Sequence, residues 1–343
     1  MAFKFLNLLS TDLGIDLGTA NSLIYVNGKG IVVNEPSIIA LEEETDKVVA
    51  IGNEAREMVG RTHRDIMTIR PLKDGVIADF EATEIMMREL IKKANVNRML
   101  IGRIVVDVPS GITEVEKRAV RDSAERAGGR EVHLVPEAMA AAIGVGLDIG
   151  HPIGNMIVDI GGGTSEIAVI SLNGIVDHAS IRVGGDEMNQ AIMNFFKKNY
   201  NLLIGETTAE NIKCTIGSAM PLPEEIKTEV KGRDLVDGIP KTIEISSVEI
   251  REALNEAIQM IVEAVRLSLE RIAPELASDI LDRGIILTGG GSLLKNLDAR
   301  MREDTSLPVH LADDPLTCVV RGCGKIIENF EMYEKVLLKQ RRM

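Results

Sequence analysis

The chain reads as a mixed α/β protein of two lobes, and three observations predict it. At 343 residues it exceeds the length at which one hydrophobic core stops growing. A segment near the start, Leu13 to Gly28 (LGIDLGTANSLIYVNG), is echoed at Met156 to Gly174 (MIVDIGGGTSEIAVISLNG). Between and after these copies, apolar runs of strand length alternate with segments of helical period.

Each copy has an apolar strand ending in Asp, a Gly-rich turn with Thr, a second apolar strand and then Asn-Gly. Asn27-Gly28 and Asn173-Gly174 predict tight turns because both residue types tolerate positive φ, so each copy reads as strand, turn, strand, turn, strand. Ile104 to Val108 is a further strand. Thr113 to Ala127 follows as a helix opened by a Thr113…Glu116 capping box and stopped by Gly128-Gly129. Ser246…Glu249 opens a longer helix with an apolar stripe at Ile250, Leu254, Ile258, Ile261, Val265 and Leu269, ended before Pro274. Ile285 to Thr288 is a short strand running into Gly289-Gly290-Gly291-Ser292, a transition that presents backbone N–H groups.

Composition excludes several function classes. With 39 Lys and Arg against 52 Asp and Glu, the formal charge of -13 repels phosphate backbones, and no basic stripe offsets it, so nucleic acid is not expected as a partner. No stretch approaches the roughly 20 apolar residues that span a bilayer, and the start lacks a signal-peptide pattern, so a cytoplasmic chain is expected. Cys214, Cys318 and Cys323 form no CxxC pair, which argues against a disulfide framework or a structural zinc site.

Three Gly-rich turns remain: Gly18-Thr19-Ala20-Asn21, Gly161-Gly162-Gly163-Thr164 and Gly289-Gly290-Gly291-Ser292. Only glycine lets several backbone donors approach a phosphate chain without an intervening Cβ. None fits the Walker or dinucleotide pattern. Asp16 and Asp159 occupy the same place in the two copies, each just before its turn. If the turns clamp a triphosphate, the two carboxylates face a Mg2+ held largely through water, because that ion takes few protein ligands directly.

These residues carry a resemblance. DLGIDLGTAN at Asp12 to Asn21, VPEAMAAAIG at Val135 to Gly144, VDIGGGTSEIAV at Val158 to Val169 and ILTGGGSLL at Ile286 to Leu294 are similar to the phosphate, connecting and adenosine motifs of the actin, heat-shock chaperone and sugar-kinase superfamily. With GETTAENIK at Gly205 to Lys213, the whole chain resembles the MreB family of bacterial actin homologues. The resemblance implies an actin-like two-lobe α/β fold, each lobe with a ribonuclease-H-like mixed sheet flanked by helices, and a nucleotide in the interlobe cleft. Lobe I would take residues 1–32, 66–145 and 313–343, with a small subdomain at 33–65. Lobe II would take 146–181 and 248–312, with a small subdomain at 182–247.

Carried over residue by residue, the resemblance implies ATP and Mg2+ as cofactors. Thr19, Ala20 and Asn21 would meet the terminal phosphates from one side and Gly161, Gly162 and Gly163 from the other. Asp16 and Asp159 would orient the metal and its waters. Glu210, Asn211, Ile212 and Lys213 would lie at the adenosine, with Gly289, Gly290, Gly291 and Ser292 closing over it. Glu137 and Thr164 would hold the hydrolytic water; actins have glutamine where this chain has Glu137, and the MreB family has glutamate.

The implied function is a slow ATPase coupled to filament growth, which organises cell-wall elongation and maintains rod shape. Its partners would be further copies of itself in head-to-tail, paired protofilaments, the inner face of the cytoplasmic membrane, and RodZ- and MreC-type membrane proteins. A small-molecule kinase on the same fold is the alternative. A chaperone is disfavoured, since about 20 residues follow Arg321-Gly322-Cys323-Gly324. For the membrane, Met1, Ala2, Phe5, Leu6, Leu8 and Leu9 share one broad helical arc opposite Lys4, Asn7 and Ser10, with Phe3 off the pattern. Met99 and Leu100 match a family loop that adds a second apolar contact, while their own sequence context reads as the start of a Met99 to Val108 strand.

Overall fold

The computed structural model describes residues 10–339. The predicted amino-terminal anchor, Phe3, Phe5, Leu6, Leu8 and Leu9, lies outside the described residues. Two five-stranded sheets carry the fold. The first orders its strands Glu131–Pro136, Ile101–Val108, Thr11–Leu17, Asn21–Val26, Gly30–Pro36; the second, read from its other edge, orders them Val309–Leu311, Ile285–Thr288, Asn155–Ile160, Ser165–Ser171, Gly174–Ile181. Each sheet is an antiparallel three-strand meander with two parallel strands added beside its first strand. The sequence echo is therefore one sheet built twice.

Turn chemistry differs between the copies. In the first, Lys29 N–H returns to Val26 C=O and Gly28 and Gly30 take positive φ, as the Asn-Gly signal implies. In the second, Ser171 pairs with Gly174, so the two central residues are Leu172 and Asn173, both at positive φ, and Gly174 already belongs to the strand. Strand register moved that turn back by one residue; a leucine at positive φ is the local cost.

Alternation along the strands splits the sheet faces between separate cores. Leu13, Ile15, Ile104, Val106, Val132 and Leu134 face the core of lobe I. Met156, Val158, Ile160, Ile167 and Val169 face that of lobe II, together with the apolar stripe of helix Ser247–Arg271. The opposite faces, through Val105 and Val135 from one sheet and Ile157, Ala168 and Ile170 from the other, share a middle core with helices Glu137–Val145 and Cys318–Glu328. These two helices cross without clearance. A Cβ on Gly144 would collide with the Cys318 carbonyl, and one on Gly322 with the Ala140 carbonyl. Gly14 likewise lies so close to Cys323 that a Cβ would sit 2.9 Å from its Cβ. The carboxy-terminal helix thus packs on the first strand, and Leu338 N–H continues the contact by donating to Leu134 C=O.

Both predicted capping boxes are present, at Thr113/Glu116 and Ser246/Glu249. Helix Glu114–Ala127 ends at Gly128, and helix Ser247–Arg271 runs 25 residues to just short of Pro274. Two three-stranded sheets are separate from the large ones. One joins Val48–Ile51, Ile39–Glu42 and Ile66–Ile69, and the other joins Leu202–Leu203, Lys227–Asp234 and Pro240–Ser246. Strand Gly30–Pro36 stays in the large sheet, and the first small sheet spans Ile39 to Ile69.

Candidate nucleotide site

The carboxyl ends of the central strands meet at a cavity of about 630 Å³ lined from both lobes. Its floor is made by the two Gly-rich hairpins. Strand Thr11–Leu17 ends in Asp16-Leu17 and turns through Gly18-Thr19-Ala20, while Asn155–Ile160 carries Asp159 and turns through Gly161-Gly162-Gly163-Thr164. The hairpins touch: a Cβ on Gly162 would lie 2.6 Å from Ala20 Cβ, and one on Gly163 2.9 Å from Thr19 Oγ1. Larger residues would hold the lobes apart at this point. Thr19 Oγ1 also accepts Gly75 N–H at 3.1 Å. Gly161 N–H is tied to Thr164 C=O at 2.9 Å, which closes the second turn on itself.

Carboxylates crowd this end. Asp16, Asp107, Glu137 and Asp159 all line the cavity. Burial, then the Asp107 and Asp159 charges, hold the Asp16 carboxyl well above the usual carboxylate range. Glu137 is raised in the same way by burial and by Asp159, Asp107, Glu166 and Asp16. Burial pushes Asp107 up to about 7 and Asp159 to about 6, the latter opposed by a hydrogen bond from Thr288 Oγ1 at 2.7 Å. The charges acting on these four groups are other carboxylates. Like charges in a buried site call for a cation. The lining carboxylate oxygens are hard donors of the kind a hydrated divalent ion takes; among the described residues no three His, Cys, Asp or Glu side chains form a group that could hold a metal ion directly.

Two acids, Asp107 at the cavity and Glu166 behind it, were not singled out by the sequence. Asp107 interrupts the apolar run Ile-Val-Val-Asp-Val at 104–108, and a charge in a strand buried on both faces is the signal that could have found it. Glu166 is the cross-strand partner of Asp159. It accepts Ser110 N–H at 3.0 Å from lobe I and the Ser180 hydroxyl from lobe II, so it ties the lobes together behind the hairpins. A second tie is Arg70, whose guanidinium reaches Glu206 at 2.7 Å and Asp186 at 3.7 Å.

The other end of the cavity is built on helices Gly185–Tyr200 and Glu206–Ile216 and the Gly289–Gly291 turn. Lys213 Nζ donates to Glu210 at 2.8 Å and to Gly185 C=O at 2.9 Å, and Asn189 donates to the same Glu210 oxygen at 2.7 Å. These bonds outweigh burial and keep the Glu210 carboxyl below its usual range. Leu293 and Leu316 add apolar wall at this end.

Of the expected site residues, Asn211, Ile212 and Ser292 do not line the cavity. The helical turn points Glu210 and Lys213 inward, sends Ile212 into the lobe II core and leaves Asn211 exposed. Ser292 is buried and spends its hydroxyl on Gly289 C=O at 2.6 Å, holding the turn rather than facing the cavity. Met99 is 84% exposed in a single 3-10 turn, Arg98–Leu100, held by Asn97 accepting its N–H at 3.0 Å; the strand begins at Ile101, not at Met99. Among the described residues no helix is long and apolar enough to cross a membrane.

Comparison with known proteins agrees with this architecture. The family described as MreB/Mbl protein matches residues 10–335. The cell shape-determining protein MreB of Escherichia coli strain K12 is 53% identical over 339 residues, covering 97% of this chain and 98% of its own. The cell shape-determining protein Mbl of Bacillus subtilis strain 168 is 49% identical over 329 residues, covering 96% and 99%. Crystal structures of MreB5 of Spiroplasma citri, bound to ADP and to AMPPNP, superpose with a TM-score of 0.90 at 39% identity, covering 95% of this chain and 98% of theirs. A MamK double helical filament shares the fold at a TM-score of 0.80 and 21% identity, covering 93% and 99%.

Proposed function

The chain belongs to the MreB/Mbl family, and from that premise we propose that it is an ATP-hydrolysing, membrane-associated filament protein that organises cell-wall elongation. It is an actin-like cytoskeletal protein of cell shape, and the kinase alternative is set aside with that assignment. The observation that carries the ATPase reading is the opposed pair of hairpins, each preceded by a buried Asp, at the base of a cavity walled by both lobes.

In this reading the turns Thr19–Asn21 and Gly161–Gly163 cradle the terminal phosphates from two sides through their free backbone N–H groups, the Gly161 N–H being held by Thr164 C=O. Mg2+, when bound, neutralises phosphate charge, and Asp16 and Asp159 are the residues that would hold its waters. Glu137, the first residue of helix Glu137–Val145, and Thr164 position the attacking water between them, with Glu137 accepting its proton. Glu210 and Lys213 grip the adenosine end, which is already ordered by Asn189 and Gly185. Because residues from both lobes contact one nucleotide, binding favours the closed cleft. A closed subunit with head-to-tail contacts extends into an open filament. At the membrane, many copies of a short apolar arc act together, so weak individual insertion becomes firm attachment.

Electron microscopy of the purified protein with Mg-ATP on lipid vesicles tests this directly. Filaments lying on the lipid are expected, and a chain lacking residues 2–9 should form them in solution only. Absence of any polymer, together with turnover stimulated by a sugar acceptor, would overturn the assignment. Glu137→Ala should still bind ATP while its phosphate release falls tenfold or more, about 1.4 kcal/mol in barrier. Unchanged turnover in filaments would remove Glu137 from the mechanism.

A further inference from the structure

We infer that Asp107 is a third acid of the cation seat, one that fixes the first phosphate hairpin and sets how strongly this site depends on a divalent ion. The inference rests on the nucleotide reading above and extends it to a residue outside the motifs.

Asp107 is 5% exposed and stands near the end of strand Ile101–Val108, among Val105, Val106 and Val108, all buried. The parallel register pairs Ile15 with Val106, so one step further along Asp16 and Asp107 stand side by side at the cavity. Asp107 Oδ1 accepts the N–H of Leu17 at 3.3 Å, the residue that leads into Gly18. The hairpin is therefore anchored at its root by this carboxylate.

The corresponding place in lobe II shows what a purely structural residue would do there. Asp159 pairs with Thr288 on its own parallel neighbour, and Thr288 donates a hydrogen bond to it. A neutral donor satisfies the buried acid. Lobe I instead sets a second acid beside the first, and an ionised carboxylate can only accept. Two adjacent carboxylates facing Asp159 across the cavity gain from a cation that accompanies the phosphates, and they repel the same phosphates when the cation is missing.

That sign difference separates the role from a merely structural one. Asp107→Asn keeps an oxygen for Leu17 N–H and removes the charge. Calorimetric titration of the full chain with ATP in chelator, and with Mg2+ at fixed ATP, reads both quantities. The Mg2+ concentration for half-saturation should rise about tenfold in Asp107→Asn, the effect of one unit charge beside a partly buried ion. Metal-free ATP should bind several-fold tighter than in the unsubstituted protein. Asp107→Thr, which copies the lobe II arrangement, should show the same split and serves if the asparagine variant does not fold. Unchanged Mg2+ dependence, or equal weakening with and without metal, would overturn the inference. If the unsubstituted protein takes up no ATP even with Mg2+, the nucleotide reading itself fails and takes this one with it, whereas normal Mg-ATP binding with no split removes Asp107 alone.

Discussion

The two lobes use the same sheet and the same Asp-then-glycine turn, yet they surround their equivalent acids differently. Asp16 has Asp107 beside it on the parallel strand and Leu23 opposite it on the antiparallel one. Asp159 has Thr288 on the parallel strand and Glu166 on the antiparallel one. Each lobe therefore adds one further carboxylate, but on opposite flanks. Among the described residues, lobe II alone offers its central acid a neutral side-chain donor. Burial and the Asp107 and Asp159 charges push Asp16 well above the carboxylate range, and burial raises Asp159 to about 6 against the hydrogen bond from Thr288. Duplicated backbone geometry fixes where charge sits, and the flanking residues decide how much of it the site tolerates.

The comparison can be broken most forcefully where the lobes stop being separate. Gly144→Ala drives a methyl group into the Cys318 carbonyl within the middle core, and overpacking of this kind should cost about 3 kcal/mol. Because that core belongs to both sheets, urea unfolding should shift to lower midpoint as one transition. A variant in which one lobe unfolds early and the other is unaffected would show them to be independent.

A pH series sharpens the electrostatic contrast. Asp107 and Asp159 are both raised, so the folded chain holds protons that the unfolded chain releases. Their stabilising contribution is complete below the unfolded carboxyl range and is lost as pH rises through about 6 for Asp159 and about 7 for Asp107. For protein free of nucleotide and metal, the unfolding free energy from urea titration should fall between about pH 4 and 7, with a limiting slope of about 1.4 kcal/mol per pH unit for each group. Asp107→Asn should delete the upper part of that fall and leave the lower. A flat free energy across the window would contradict the crowding of charge described here. The smallest change expected is from Thr288→Val, which makes lobe II resemble lobe I by leaving Asp159 without its donor. It should lose about 1 kcal/mol at neutral pH and move the lower step of the pH curve upward.

Much of this was legible in the chain because the signals are local. Both capping boxes, the glycine stops and the two Asp-turn hairpins need only neighbours within a few residues, and each lies where the sequence puts it. What escaped depends on partners far along the chain. Asp107 becomes part of the site through its register against Asp16, about ninety residues away, and Glu166 through its place opposite Asp159 and its bond to Ser110. The turn at Leu172–Asn173 was displaced by one residue because strand pairing, not the Asn-Gly dipeptide, set it. Asn211 and Ile212 entered the expected site as members of a contiguous motif, although a helix can show a cavity only one side of such a run.

The carboxy-terminal helix also sets an order of assembly. Lobe II is drawn from one unbroken middle stretch of chain, whereas the sheet that begins the protein lacks its cover until Cys318–Glu328 has been made. During synthesis at roughly 5–20 residues per second, the half translated first is the half completed last. For that interval the face that Val105 and Val135 turn to the middle core has helix Glu137–Val145 but not yet Cys318–Glu328, and a truncation before residue 318 should leave the part beside Gly14 without its covering helix.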